Sequence, residues 1–349
     1  MRPVHAVSSH ERSFVSPADR APHRSVLVLA LGGTIAMTPT ASASGVAPTL
    51  TGSDLVAAVP GLRGAAVSAE DFRKLPGASL TPSDIVDLVK RLEQADREGV
   101  GGIVVTQGTD TLEETAFLTD LYYRGNAPVV FTGAMRSATA TGADGPANIL
   151  AAVQTAACAR AREQGVLVVL GDEVHAARYV RKMHTTSPAA FTSPATGPLG
   201  HLVEGTVRLR HALKRTSPVA LPLDTVSTPP EAEVVTASLG SSGKLLEGLE
   251  GRISGLVVAA FGAGHVPQTW VPRLEALAAA MPVVLTSRIG TGPVLTSTYA
   301  FPGSESDLLA RGLIAAGSLD PYKARLLLVA HLAAGAPHET ICKAFLDYA

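Results

Sequence analysis

The chain has 349 residues, 46% of them apolar and 17% charged, with a formal net charge of −1. That length accommodates two domains of ordinary size, and the apolar share is enough for a large core. A near-neutral chain with no long Lys/Arg run lacks the basic footprint that binding to phosphates requires, which excludes a nucleic-acid partner. No apolar run approaches the roughly 20 residues that cross a bilayer, so no membrane partner is expected either.

Residues 1–24, MRPVHAVSSHERSFVSPADRAPHR, mix charge, Ser, Pro and His without a continuous apolar stretch. They read as a disordered tail rather than a secretory signal, giving the expectation of a soluble, cytoplasmic protein. The run SVLVLAL at 25–31 predicts a buried strand, as do 102–105, 128–132 and 166–170. Between them lie TPSDIVDLVKRLEQADREG, LEETAFLTDLYYRG and GPANILAAVQTAACARAREQG, with the i, i+3, i+4 apolar spacing of helices. This alternation predicts an α/β fold with a mostly parallel sheet flanked by helices. The aperiodic, Pro/Ser/Thr-rich KRTSPVALPLDTVST at 214–228 reads as a linker. It would join a larger N-terminal catalytic α/β domain, 25–213, to a smaller C-terminal α/β domain, 229–349. Strand and helix patterns resume at 255–261, WVPRLEALAAA, 282–286, ESDLLARGLIAAG and DPYKARLLLVAHLAAG, the last with Pro321 in its first turn. Cys158 and Cys342 fall in helix-like segments and read as buried core thiols, not a disulfide.

Unusual polar sequence follows four of the predicted strands. LGGTIAMT supplies Gly32, Gly33 and Thr34, and TQGTDT supplies Thr109 and Asp110. FTGAMRSATATGADGPAN supplies Thr132, Gly133, Arg136 and Asp144, and GDEVHAARYVRKMHTT supplies Asp172, Glu173, Arg178 and Lys182. A parallel sheet would gather these at its carboxyl edge, where ligands bind. A threonine hydroxyl is a poor nucleophile until a base takes its proton, and a lysine of lowered pKa can be that base. Glycine beside threonine lets a substrate approach backbone N–H groups able to stabilise an oxyanion. Thr, Lys and Asp are therefore sufficient for amide hydrolysis. Each piece also has a plainer reading. GGT can be a tight turn with a helix cap. Thr109 or Thr111 can cap a helix, and Thr111 with Glu114 would make a capping box. Lys182 can be solvated, and Arg136 and Arg178 can be surface ion-pair partners. No P-loop, GxGxxG fingerprint or GxSxG elbow occurs, and His175, His184, His201 and His211 lack zinc spacing.

Taken in order, LALGGTIA, VVTQGTDTLEETAF, VVFTGAMR, GADGPANIL, DEVHAARYVRKMHTTSPAAFTSP, FGAGHVP, SRIGTGPV and GSLDPYKARLLL make the chain resemble the bacterial-type L-asparaginase/glutaminase family from about residue 25 onward. The resemblance implies hydrolysis of the side-chain amide of L-asparagine through an acyl-enzyme, without metal or cofactor. It implies Thr34 as nucleophile and a Thr109–Lys182–Asp110 triad, with Asp110 also contacting the substrate α-ammonium. The N–H groups of Thr109 and Ala134 would lie near the oxyanion, beside Gly108. It further implies a homodimer or homotetramer whose neighbouring subunit completes the site. Several positions depart from the family pattern. Leu31 replaces the usual Thr or Ser before GGT, and Gln107 replaces a frequent His. PGAS stands in the carboxylate-binding stretch, leaving Gly77, Ala78 and Ser79 for that role. The loop after GGTIA has no tyrosine. Tyr299 stands where an acidic residue orients that tyrosine in relatives and is a candidate to supply the phenol. His265 stands where many members have an Asn that touches substrate across the subunit interface. The altered recognition shell keeps three alternatives open: a glutaminase or other ω-amidase, an amidotransferase-like subunit, or an inactive amino-acid sensor.

Overall fold

A computed structural model describes residues 24–39, 46–48, 50–213, 215–221 and 230–348. Apart from Arg24, the expected tail lies outside these residues, as does the expected linker except for 215–221. The N-terminal region is built on an eight-stranded sheet. Val67–Asp71, Val26–Ala30, Gly102–Thr106, Val129–Thr132 and Val166–Leu170 run parallel in that spatial order. Glu173–Ala176, Gly200–Val203 and Thr206–Leu209 then extend it in antiparallel fashion. The four predicted strands are buried along their whole length. Their unbroken Val/Leu/Ile character follows from a sheet covered by helices on both faces. A smaller C-terminal sheet is wholly parallel, in the order Ala232–Thr236, Gly255–Ala260, Val283–Ser287, Ile314–Ala315.

The helix Pro82–Arg97 begins with a capping box between Thr81 and Asp84 and buries Ile85, Leu88, Val89, Leu92 and Ala95 on one face. The next helix, Leu112–Tyr122, is buried almost all round. It lies between the sheet and the C-terminal helix Pro321–Ala333. Leu112 and Ala116 pack into the sheet-side core, while Phe117, Leu118, Leu121 and Tyr122 pack with Leu326, Leu327 and Ala330. The two regions thus share one hydrophobic cluster.

Several boundaries differ from expectation. The helix expected over 145–165 stops at Ala157, because Cys158 turns to an extended conformation and a short 3-10 turn follows at Ala159–Ala161. The pattern expected as one helix over 305–317 divides into Glu305–Ala310 and the strand Ile314–Ala315, since Gly312 takes φ +94 and ends the helix. The edge strand Val67–Asp71 had no apolar run to reveal it, because it is half exposed. Cys158 and Cys342 are free, as expected, but only half-buried. Arg178, expected at the surface as an ion-pair partner, is buried and lies 3.7 Å from Asp120.

Candidate active site

Strand register brings the polar segments together. Ala30 pairs with Asp71 and Thr106, and Thr106 pairs with Thr132. These strands therefore end at one level, and the segments after them leave the same edge of the sheet. Three glycines lock those segments backbone to backbone. Gly33 has φ +88, and a Cβ there would fall 2.0 Å from the Gly108 nitrogen. A Cβ on Gly108 would meet Gly33 Cα and Gly77 N, each at 3.2 Å, and one on Gly77 would meet the Gly108 oxygen at 3.1 Å. GGT, QGTDT and PGAS thus meet backbone to backbone, with Gly33 the position closed to any side chain and Gly77 and Gly108 tightly packed beside it. Thr34 opens a short 3-10 turn, Thr34–Ala36, immediately after this contact. Its backbone is described and its side chain is not.

Thr109 is buried and Asp110 exposed, side by side after the strand Gly102–Thr106. Lys182, from a different part of the sequence, brings its Nζ to them. It donates to Thr109 Oγ1 at 2.9 Å and to Asp110 Oδ1 at 3.5 Å. The lysine is therefore not a freely solvated one. Its backbone N–H donates to Glu113 Oε2. Burial pushes the Glu113 carboxyl above its ordinary value, partly offset by the positive charge of Lys323.

Gln107, in place of the frequent His, is buried and serves as an internal strut. Its Nε2 donates to Thr111 Oγ1 at 3.1 Å and to Thr115 Oγ1 at 3.0 Å. Thr111 Oγ1 donates in turn to the Gly77 carbonyl at 2.8 Å. The capping box expected between Thr111 and Glu114 is absent, because the Thr111 hydroxyl is committed to Gly77 rather than to its own helix. Ala78 and Ser79 follow Gly77 on the same 3-10 turn and are exposed.

GADGPAN fixes the loop after Thr132. Asp144 accepts from the N–H groups of Met135 at 3.0 Å and Arg136 at 2.9 Å. Asn148 donates to the Gly133 carbonyl at 3.0 Å and accepts from Gly171 N–H. Ala134 is buried in this loop, and Gly133 lies so close to Gln107 that a Cβ would sit 2.7 Å from its carbonyl oxygen. Arg136 is exposed and donates to the Gly142 carbonyl.

His265 and Tyr299 sit apart from this set, in a second cluster on the C-terminal region. Their rings meet edge to face at 4.8 Å, and Phe301 packs on His265 at 5.0 Å. Beneath them the fully buried Glu305 accepts from His265 Nε2 at 3.1 Å and from the N–H groups of Thr298 and Tyr299 at 2.9 and 2.7 Å. Burial favours the neutral acid, but these donors outweigh it and hold the carboxyl below its ordinary value. Glu305, Glu113 and Lys323 escaped the sequence reading because each lay inside a helix pattern, where a charged residue ordinarily marks the solvent side. Among the described residues, no group of three or more His, Cys, Asp or Glu side chains could hold a metal ion.

Residues 25–215 match the asparaginase N-terminal family, and residues 232–345 match the glutaminase/asparaginase C-terminal domain. The chain belongs to the asparaginase family. A probable L-asparaginase of Deinococcus radiodurans is 37% identical over 315 residues, 90% of this chain and 94% of that one. A probable periplasmic L-asparaginase of Haemophilus influenzae is 33% identical, with 96% of each chain covered. The crystal structure of a probable cytoplasmic L-asparaginase from Campylobacter jejuni superposes with a TM-score of 0.83 at 31% identity, covering 93% of this chain and 99% of that one. Family membership accounts for both the divided α/β fold and the order of the polar segments.

Proposed function

We propose that this asparaginase-family chain hydrolyses the side-chain amide of L-asparagine to L-aspartate and ammonia. The observation that carries this reading is the hydrogen bond between Lys182 Nζ and Thr109 Oγ1, at 2.9 Å, with Asp110 Oδ1 3.5 Å from the same nitrogen. A hydroxyl held against an amine is the arrangement that moves a proton to or from a threonine, provided the lysine is neutral at the moment it accepts. In this scheme Thr34 Oγ attacks the amide carbon, its hydroxyl proton ends on the amide nitrogen, and the C–N bond breaks so that ammonia leaves. Water then cleaves the ester and frees aspartate. The backbone N–H groups of Thr109 and Ala134 serve the oxyanion. Gly77, Ala78 and Ser79 line the carboxylate end beside Gly108, and Asp110 receives the α-ammonium. His265 and Tyr299 complete the pocket from a neighbouring subunit of a homodimer or homotetramer. The division at 214–228 then separates the catalytic and completing domains.

The compartment proposed is the cytoplasm. The Campylobacter relative is described as cytoplasmic, whereas the Haemophilus relative is described as periplasmic. Fractionation of cells expressing the chain would reveal a periplasmic location instead.

Ammonia release by wild type, Thr34→Ala and Thr109→Ala, with asparagine and glutamine as substrates, tests the mechanism. Wild type is expected to hydrolyse asparagine, and each variant to lose at least ~100-fold in rate. Undiminished rates in both variants would sink the threonine mechanism. A wild type faster on glutamine would reassign the substrate.

A further inference from the structure

Lys182 stands on a two-residue strand, Arg181–Lys182, that pairs with Phe191–Thr192 and lies outside the eight-stranded sheet. So short a ladder is weak support for a long, flexible side chain whose Nζ must stay within hydrogen-bond distance of one hydroxyl. Two buried charged side chains supply further support, and both reach backbone rather than the reacting groups. Glu113 Oε2 accepts from the Lys182 N–H. Lys323 Nζ donates to the carbonyl of Val180, two residues before Lys182 and 143 residues from Lys323 in sequence. Lys323 also lies 3.4 Å from Asp320, whose carboxylate caps the helix Pro321–Ala333 and approaches Arg181 at 4.0 Å.

Glu113 and Lys323 are 8% and 1% exposed. Burying a carboxylate and an ammonium is costly, and apolar side chains of similar size would fill the same space without that cost. What apolar side chains could not do is hold the backbone N–H of Lys182 and the backbone carbonyl of Val180, both in the segment leading into the lysine. Glu113 is the second residue of the helix that starts three residues after Thr109, so the clamp on the lysine's backbone stands only four positions along the chain from the hydroxyl. Lys323 belongs to the C-terminal region, which is thereby tied to the strand carrying Lys182.

We propose that Glu113 and Lys323 are positioning residues that clamp the backbone around Lys182 and so set its ammonium against Thr109. The C-terminal helix then contributes to catalysis within its own chain, in addition to any part it plays across a subunit interface. The proposal rests on Lys182 being the proton-transfer group.

Steady-state ammonia release from asparagine, with melting temperatures, tests it on the full chain carrying Glu113→Gln, Glu113→Leu, Lys323→Met or Lys182→Met. Glutamine keeps an acceptor oxygen for the Lys182 N–H, so Glu113→Gln should hold kcat within about 3-fold of wild type. Glu113→Leu and Lys323→Met should lose about 10- to 100-fold in kcat, the scale of an ångström-sized misplacement, with KM within about 3-fold and a cooperative melt retained. If Glu113→Leu and Lys323→Met keep kcat while only melting earlier, the two residues are structural and the proposal fails. It fails equally if the Gln and Leu variants of Glu113 lose kcat alike. Should Lys323→Met not fold, the Glu113 pair decides. Full activity in Lys182→Met would remove the parent mechanism, an outcome separable from the others.

Discussion

The two polar clusters are built on different principles. In the N-terminal cluster, Gly33, Gly77 and Gly108 press main chain against main chain, Thr109 is buried, and Lys182 is brought in from a distant segment. In the C-terminal cluster, the rings of His265, Tyr299 and Phe301 pack edge-on over a buried carboxylate, with Tyr299 43% and Phe301 46% exposed. A site made by backbone contact has little freedom to vary, because an atom added at Gly33 collides with a peptide group and those at Gly77 and Gly108 would press on one. A site made by exposed side chains can exchange one ring or amide for another. His265 and Tyr299, both read from the sequence as departures from the family pattern, fall in the second cluster. PGAS, which also departs, shows the limit of this rule. Gly77 is locked into the glycine contact, whereas Ala78 and Ser79 face outward and are the part free to differ.

Substitutions can break this contrast, beginning with the largest effect. Gly33→Ala would place Cβ 2.0 Å from the Gly108 nitrogen at φ +88. Destabilisation of several kcal/mol is expected, on the order of the tail of single-mutation effects, with asparagine hydrolysis down at least ~100-fold. A near-normal melting temperature and rate would show that the glycine contact is not rigid. The buried histidine of the N-terminal region comes next. Burial, with some repulsion from His201, lowers the His175 pKa from 6.5 to about 4. Above pH 6.5 its imidazole is neutral in both folded and unfolded chains. As pH falls from 6.5 towards 4, the unfolded chain takes up a proton that the folded chain does not, so stability is lost, by up to about 3 kcal/mol. Melting temperature measured against pH should therefore fall less steeply over this window in His175→Asn than in wild type. Parallel curves would contradict that account.

Smaller effects belong to the C-terminal cluster. If His265 meets substrate, His265→Ala should raise KM for asparagine about 3- to 30-fold and change kcat less, the signature of lost binding contact. An unchanged KM would remove His265 from recognition. Phe301→Ala should cost about 1–3 kcal/mol in chemical denaturation, from the half-buried ring's apolar area together with its aromatic contact. A larger loss would show that this cluster, too, is a rigid structural centre.

Much of the scaffold was legible from apolar runs. The strand Val166–Leu170 has the predicted limits, and Val26–Ala30 and Val283–Ser287 differ from the predicted limits by a residue or two. Those strands are covered on both faces, so burial is written continuously along them. Strands that are half exposed or antiparallel at the sheet's end, such as Val67–Asp71 and Thr206–Leu209, carried no such signal. The helix Leu112–Tyr122 was recognisable, but its place between two regions was not, since only its packing shows that nearly every face is covered.

The sequence by itself determined the α/β alternation and the polar segments at the strand ends, because local patterning and the period of burial are properties of neighbouring residues. Its motifs also carried the family likeness. Tertiary structure alone decided how the side chains are used. It committed the Thr111 hydroxyl to Gly77 instead of a helix cap. It buried Glu113 and Lys323 against the backbone of the Lys182 strand, and set Glu305 beneath His265. Each of these contacts joins segments far apart in the chain. Its energy depends on what desolvates the charge and which donor or acceptor lies within about 3 Å, quantities that no local sequence pattern encodes.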